Sequence, residues 1–423
     1  MWLIGGVPFV FLLIGFPIFI LLLATALLLL GFAMPMPSSA LHQVMFGSLD
    51  KFSLLAIPFF IFAGELMARG SMSRRIIEWV LALLGGRRGA MPLATVGAST
   101  VFGALSGSSP ATVAAIGRLM YPNLRSSGYN ESFSSGLITA AGGIAIVIPP
   151  SIAMILYCVS AEQSVSQLFL AGIIPGLFLA LLMGLYIYVY AWRMDIRESS
   201  EFSIRRLLEA SRNGFWALLT PLIVLGGIYS GVFSPTEAAG IACVYALIVT
   251  LLIYRDLTFA DVWRLAIDSA ALTGQIMIIV AAAGVVSWLV TVLGLPQQIV
   301  AAIQDVGAPV WLFLLMMNIL LLIVGCFIDP ISAILVLTPL LVPIAKSLGI
   351  DLIHFGLIMT VNLSIGMFSP PFGLNIFVAQ ATLGVKTSEL YRGLLPFIGV
   401  YLLGLAILTA VPEMSLFLLR FFQ

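Results

Sequence analysis

Ala145-Ile146-Val147-Ile148-Pro149-Pro150-Ser151 and Gly366-Met367-Phe368-Ser369-Pro370-Pro371-Phe372 decide the fold. Each stretch sets a double proline midway along an apolar run long enough to cross a bilayer. An offset of 221 residues carries Pro122, Gly128, Pro149, Pro150, Gly172 and Pro175 onto Pro343, Gly349, Pro370, Pro371, Gly393 and Pro396. An offset of 220 carries Ala63-Gly64 onto Ala283-Gly284 and Pro110 onto Pro330. Proline is only 22 of 423 residues, yet every proline between 101 and 180 finds a proline partner. The chain therefore reads as a duplicated membrane unit. Apolar segments broken at matching places in two halves are the best sequence pointer to the binding site of a secondary transporter.

Composition agrees. Hydrophobic residues make up 61% of the chain and charged residues 9%, against roughly 25% charged in a soluble domain. The alternating pattern of a transmembrane barrel is absent, so the expected class is an all-α polytopic membrane protein. A net charge of +1 with no basic tail gives no nucleic-acid footprint. Cys158, Cys243 and Cys326 are scattered through apolar segments and read as small hydrophobes. His42 and His354 alone cannot hold a metal. The first apolar run, residues 7–32, lacks a basic leader and exceeds a signal-peptide core, so it reads as a mature helix.

Residues 1–192 form the first repeat, 193–236 a linker with a connecting helix, and 237–423 the second repeat. In the first, two apolar pieces within 90–121 are each too short to cross and flank Ser106-Gly107-Ser108-Ser109-Pro110. They read as a re-entrant hairpin, followed by a broken helix at 131–158. The second repeat has the same order, a hairpin at 310–345 and a broken helix at 355–380. Arg193, Arg197, Arg205, Arg206 and Arg212 make the linker cytoplasmic by the positive-inside rule. Counting spans from there opens the first hairpin to the cytoplasm and the second outward, an inverted repeat.

Proline lacks an N–H and clashes with the carbonyl four residues back, so each Pro-Pro frees carbonyls from a helix. In hydrocarbon such oxygens need a partner, and a dehydrated sodium ion uses several at once. One expected sodium site gathers Ser106, Gly107, Ser108, Ser109, Ala145, Ile148 and Pro150. The other gathers Gly325, Asp329, Ser332, Gly366, Phe368 and Ser369. Ser108, Ser151, Asp329, Asn362 and Asn375 are the expected substrate contacts. Asp329 stands out, because an intramembrane carboxylate is costly and its counterpart in the first repeat is Ser109. It also suits the N-cap of a helix starting at Pro330. Ser234-Pro235-Thr236-Glu237 reads as a capping turn. No Gly is followed by Lys, which leaves no phosphate-binding loop, and no paired carboxylates or Ser/His/Asp set suggests an enzyme.

With those residues in view, the chain resembles the large membrane subunit of the tripartite ATP-independent periplasmic (TRAP) transporters. The resemblance lies in Ile57-Pro58-Phe59-Phe60-Ile61-Phe62-Ala63-Gly64-Glu65-Leu66-Met67, Phe102-Gly103-Ala104-Leu105-Ser106-Gly107-Ser108-Ser109-Pro110-Ala111-Thr112, Ser234-Pro235-Thr236-Glu237-Ala238-Ala239 and the segment 366–373. It implies an elevator-type fold in a bacterial inner membrane, a small four-helix membrane subunit as partner, and a periplasmic substrate-binding protein. It also implies carboxylate substrates such as sialic acid or C4-dicarboxylates. The expected activity is sodium-coupled uptake of an organic carboxylate, with Na+ as coupling ion and no other cofactor. An autonomous sodium/carboxylate symporter and a passive channel are the alternatives.

Overall fold

Two kinds of helix end shape this chain: Gly or Pro stops inside apolar runs, and polar caps at the restarts. A computed structural model describes residues 16–32, 38–196, 202–306 and 309–422, and every helix or strand element among them is helical. Six segments are long and apolar enough to cross a membrane: Phe52–Arg69, Val165–Arg193, Pro235–Ile253, Phe259–Val292, Pro330–Ser347 and Thr387–Ala410. The protein is a multi-pass all-α membrane protein.

The first helices are α1 (Ile18–Phe32), α2 (Ser38–Leu49), α3 (Ala56–Arg69) and α4 (Met72–Leu84). The part of the first apolar run before residue 16 lies outside the described residues. The first hairpin is α5 (Ala90–Ser106) and α6 (Ser109–Ser126). Gly107 ends α5 in the left-handed region (φ +56°), with its N–H donated to Gly103 O at 2.8 Å. Ser108 then caps α6, its Oγ accepting from Ala111 N at 3.4 Å, and Pro110 occupies the first turn.

The helix beyond is interrupted, but earlier than the double proline. Helix α7 (Glu131–Gly142) tightens into a 3₁₀ turn over Gly143–Ile146, and α8 restarts at Ile152–Ala161 with Ser151 as its cap. Ile148 N still donates to Ile144 O at 2.9 Å, and the prolines explain why the helix goes no further. Pro149 and Pro150 lack the N–H groups that would reach Ala145 and Ile146. Helix α9 (Val165–Arg193) follows.

Helix α10 (Ile204–Tyr229) begins inside the Arg-rich linker, where Ser203 caps its charged first turn. Helix α11 (Pro235–Ile248) opens with the anticipated Ser234–Glu237 capping box. Helix α12 (Phe259–Val292) extends 34 residues; Asp261, Arg264 and Asp268 hid its first turns from a reading by apolarity. Helix α13 (Leu295–Val306) was not anticipated. The second hairpin is α14 (Val310–Gly325) and α15 (Pro330–Ser347), and its second arm is long enough by itself to cross a membrane. The second interrupted helix is α16 (Leu352–Gly366) and α17 (Leu374–Leu383), before α18 (Thr387–Ala410). Both Pro-Pro bonds are cis.

The halves interleave. Helix α8 packs on α15 of the second hairpin, and α17 packs on α6 of the first. Helix α7 lies along α18, where Gly136 and Gly393 bring the two backbones into contact. Helices α1, α2 and α3 pack on α12, and α11 packs on α3.

Candidate functional site

Tip and break meet through main chain alone in each half. A Cβ on Gly107 would lie 2.8 Å from Pro150 O and 3.6 Å from Ser151 Cα. A Cβ on Gly103 would lie 2.7 Å from Ala145 Cα. In the second half a Cβ on Gly366 would lie 2.5 Å from the carbonyl of Gly325. Contact below 3.0 Å is closer than a side chain tolerates, so glycine is required for the approach. The sequence reading grouped Gly107 with Pro150, and Gly325 with Gly366; both groups come together.

The two breaks differ in their oxygens. The carbonyls of Ala145, Ile146, Val147 and Ile148 accept no main-chain or side-chain hydrogen bond among the described residues. In the second break Gly366 O accepts from Ser369 N (3.2 Å), Met367 O from Asn375 N (2.8 Å) and Ser369 O from Gly373 N (3.1 Å). Of the carbonyls from Gly366 to Ser369, only that of Phe368 accepts no hydrogen bond among the described residues. The longer loop before α17 lets its N–H groups fold back, whereas α8 restarts at once.

Side chains widen the contrast. Around the first tip, Ser106 Oγ lies 3.1 Å from Thr112 Oγ1, which donates to Ser108 O at 2.8 Å. Ser106, Ser109, Thr112 and Ser151 are all buried. At the second tip Asp329 caps α15: its Oδ2 accepts from Ser332 N at 3.0 Å and its Oδ1 from Ser332 Oγ at 2.6 Å. Asp329 is half-buried and has no cationic partner within salt-bridge distance among the described residues. Ser369 Oγ donates to Ile365 O at 2.8 Å. Here the surface is open: the Phe327 and Phe372 rings meet at a tilt, 5.7 Å between centroids, and both are exposed.

The two asparagines separate. Asn362 donates to Asn318 O (3.0 Å) and Asn318 Oδ1 (2.8 Å), tying α16 to α14, and Asn318 donates to Thr409 Oγ1 at 3.2 Å. Asn375 instead crosses to the first tip, where Nδ2 donates to Ser109 Oγ (2.7 Å) and Thr139 O (3.2 Å). Sequence reasoning missed Asn318, Thr112, Thr139 and Tyr401, whose hydroxyl donates to Ala140 O at 2.9 Å. Only Asn318 carried a signal, as an amide inside Leu314-Leu315-Met316-Met317-Asn318-Ile319-Leu320. Among the described residues no cluster of His, Cys, Asp and Glu could hold a transition metal. Oxygen-only donors suit a hard cation.

A cavity of about 360 Å³ lies between α2 and α12 on one side and the end of α8 and the middle of α15 on the other, with Ser48, Lys51, Ser160, Glu162 and Ser287 in its wall. A second, of about 350 Å³, lies between the α3–α4 corner and α6, walled by Arg69, Arg74, Arg118 and Asp256. Crevices therefore flank the tip-and-break body on two sides.

The whole-chain pattern has known parallels. Residues 6–414 match the family model described as Tripartite ATP-independent periplasmic transporter, DctM component. The C4-dicarboxylate TRAP transporter large permease protein DctM of Pseudomonas aeruginosa is 42% identical over 372 residues, covering 88% of this chain and 87% of that protein. The isethionate TRAP transporter permease protein DctMQ of Oleidesulfovibrio alaskensis is 39% identical over 411 residues, covering 96% of this chain and 64% of that protein. In fold, the chain is similar to the YdaH transporter of Alcanivorax borkumensis, with a TM-score of 0.66, 17% identity, and coverage of 95% and 97% of the two chains.

Proposed function

Since this chain belongs to the DctM component family of the tripartite ATP-independent periplasmic transporters, we propose that it is a large permease driving uptake of an organic acid anion with sodium. The observation that carries the sodium reading is the first break. The carbonyls of Ala145, Ile146 and Ile148 accept no hydrogen bond among the described residues, and the tip carrying Ser106, Ser108 and Ser109 meets this break through Gly103 at Ala145 and Gly107 at Pro150 O, while Val147 O faces Gly172 of α9. Buried backbone oxygens without partners are tolerated at membrane depth where they line a cation or water site. The C-terminal end of α7 adds the negative end of a helix dipole. Asp329, Phe368 and Ser332 supply the second cation site, with Gly325 and Gly366 as its closing contact.

The substrate would lie between the two tips. Helices α6 and α8 start side by side at Ser108 and Ser151, and helix N-termini favour an anionic group. The relatives' names support a carboxylate or sulfonate. Elevator movement of the hairpins and broken helices against α2, α3, α11 and α12 is supported by the crevices on two sides of that body. Each sodium ion entering down a tenfold gradient supplies ~1.4 kcal/mol. Each net charge crossing ~100 mV adds ~2.3 kcal/mol. Two sodium ions with a monovalent anion therefore give about 5 kcal/mol, enough for roughly a thousandfold accumulation or more. One sodium ion would give only about tenfold.

The partners are a small membrane subunit and a periplasmic binding protein, in a bacterial inner membrane. The unmatched third of the DctMQ relative supports the first of these, as a partner carried there in one chain. The test is uptake into proteoliposomes holding this chain with its small subunit, fed by the binding protein loaded with a C4-dicarboxylate. Uptake should vanish when external sodium is replaced by potassium. Uptake that persists in potassium would reject sodium coupling. Uptake of free substrate without the binding protein would favour the autonomous symporter.

A further inference from the structure

Asn375 belongs to the second half by sequence and to the first tip by position. Its main-chain N–H donates to Met367 O at 2.8 Å, fixing the second break. Its side-chain Nδ2 spends both hydrogens, on Ser109 Oγ at 2.7 Å and Thr139 O at 3.2 Å. The amide orientation follows from Thr139, because a main-chain carbonyl only accepts and so must face the nitrogen. That leaves Oδ1 as an acceptor. The residue is 0% exposed, and Oδ1 has no hydrogen-bond partner among the described residues. An unpaired buried amide oxygen costs about 1–3 kcal/mol.

Several features place that oxygen at the first cation site. It lies no more than an amide's width further from Ser109 than Nδ2 does. Gly142, at the end of α7, presses against the same group: a Cβ there would lie 3.2 Å from Ser109 O and 3.5 Å from Asn375 Nδ2. Val113 also packs against Gly142 there, and no salt bridge reaches the group among the described residues. The duplication breaks here too. The counterpart of Asn375 is Met154, and the counterpart of Ser109 is Asp329. The first tip thus receives a neutral amide from the other half, while the second tip carries its own charge.

We infer that Asn375 supplies its side-chain oxygen to the sodium ion at the first tip, so that this site is completed by the second half of the chain. The inference rests on the sodium reading above and deepens it. Sodium at the first tip would then hold the start of α17, and with it the second break, in place. The first tip and the second break would thus be linked through one residue.

The test is a sodium titration of the purified chain with its small subunit in nanodiscs, read by ²²Na⁺ binding. Asn375→Ala is expected to raise the half-saturating sodium concentration at least tenfold. Asn375→Asp keeps an oxygen and adds charge. It is expected to bind sodium at least as tightly as wild type, with an affinity that falls as the new carboxylate protonates in acid. Equal affinity for Asn375→Ala and wild type overturns the inference. Equal weakening in both variants also overturns it, because the amide donors would then be what matters. Should Asn375→Ala not fold, Asn375→Asp decides alone: an affinity no tighter than wild type and flat with pH overturns the proposal. Absence of sodium binding by wild type would instead reject the proposed function itself.

Discussion

Replacing Gly366 with alanine tests whether the second tip and break are held by main-chain contact. Gly366 is the last residue of α16 and does not adopt a positive φ, so alanine is allowed there by conformation. Judged locally, the change should stabilise the helix end by about 0.5–1 kcal/mol. The packing predicts the opposite sign. The new methyl would lie 2.5 Å from the Gly325 carbonyl carbon and oxygen, where ordinary contact begins at 3.4 Å. Neither neighbour is a rotatable side chain, so the tip must retreat by about 1 Å, and overpacking of this kind costs about 1–3 kcal/mol. The overpacking therefore outweighs or at least cancels the local gain, with a net destabilisation of up to about 2 kcal/mol. The same retreat would open the proposed second cation site, where a loss of ~1.4 kcal/mol would weaken sodium binding tenfold. Thermal unfolding in nanodiscs, with and without sodium, reads both effects. A variant that melts at or above wild type with an unchanged sodium response would refute the contact and its role.

Gly107→Ala combines a left-handed backbone with a methyl 2.8 Å from Pro150 O, and should lose about 1–2 kcal/mol from the backbone alone; transport assays should give a higher sodium requirement, and wild-type kinetics would contradict this. Asp329→Asn preserves the cap of α15, since asparagine caps as well as aspartate, so thermal stability should hold within a few tenths of a kcal/mol while sodium affinity falls about tenfold. Unchanged sodium binding in that variant would leave Asp329 with capping alone. Tyr401→Phe removes the donor to Ala140 O inside a fully buried site, and should lower stability by about 1–3 kcal/mol, measured by thermal unfolding; an unaltered melting temperature would count against that bond.

The sequence made the tips and breaks readable because their signals are backbone signals. Pro149-Pro150, Pro370-Pro371 and Gly107 act through missing N–H groups and allowed φ, which need no tertiary context. What stayed hidden depended on partners far along the chain. Nothing local says that Asn375 meets Ser109, 266 positions away, rather than a ligand beside Asn362. The early stop of α7 at Gly142 was masked by apolar residues that continue to Ile148. The front of α12 was hidden for the reverse reason: Asp261, Arg264 and Asp268 belong to a helix that leaves the apolar layer without ending. Near equality of the two breaks was also too simple. Spacing matched them, but the extra turn after Pro371 lets main-chain N–H groups reclaim oxygens that Ile152 cannot reach in the first half.

The crossed seating of α8 on α15 and α17 on α6 has an evolutionary corollary. A forebear of half this length would have exposed a groove on its hairpin and an orphaned half-helix, each matching the other. Two such molecules inserted upside down to one another would have repaired both defects. Were such a fusion the origin of the proline spacing, each groove would have been free to diverge, in keeping with Met154 standing in one half where the other has Asn375.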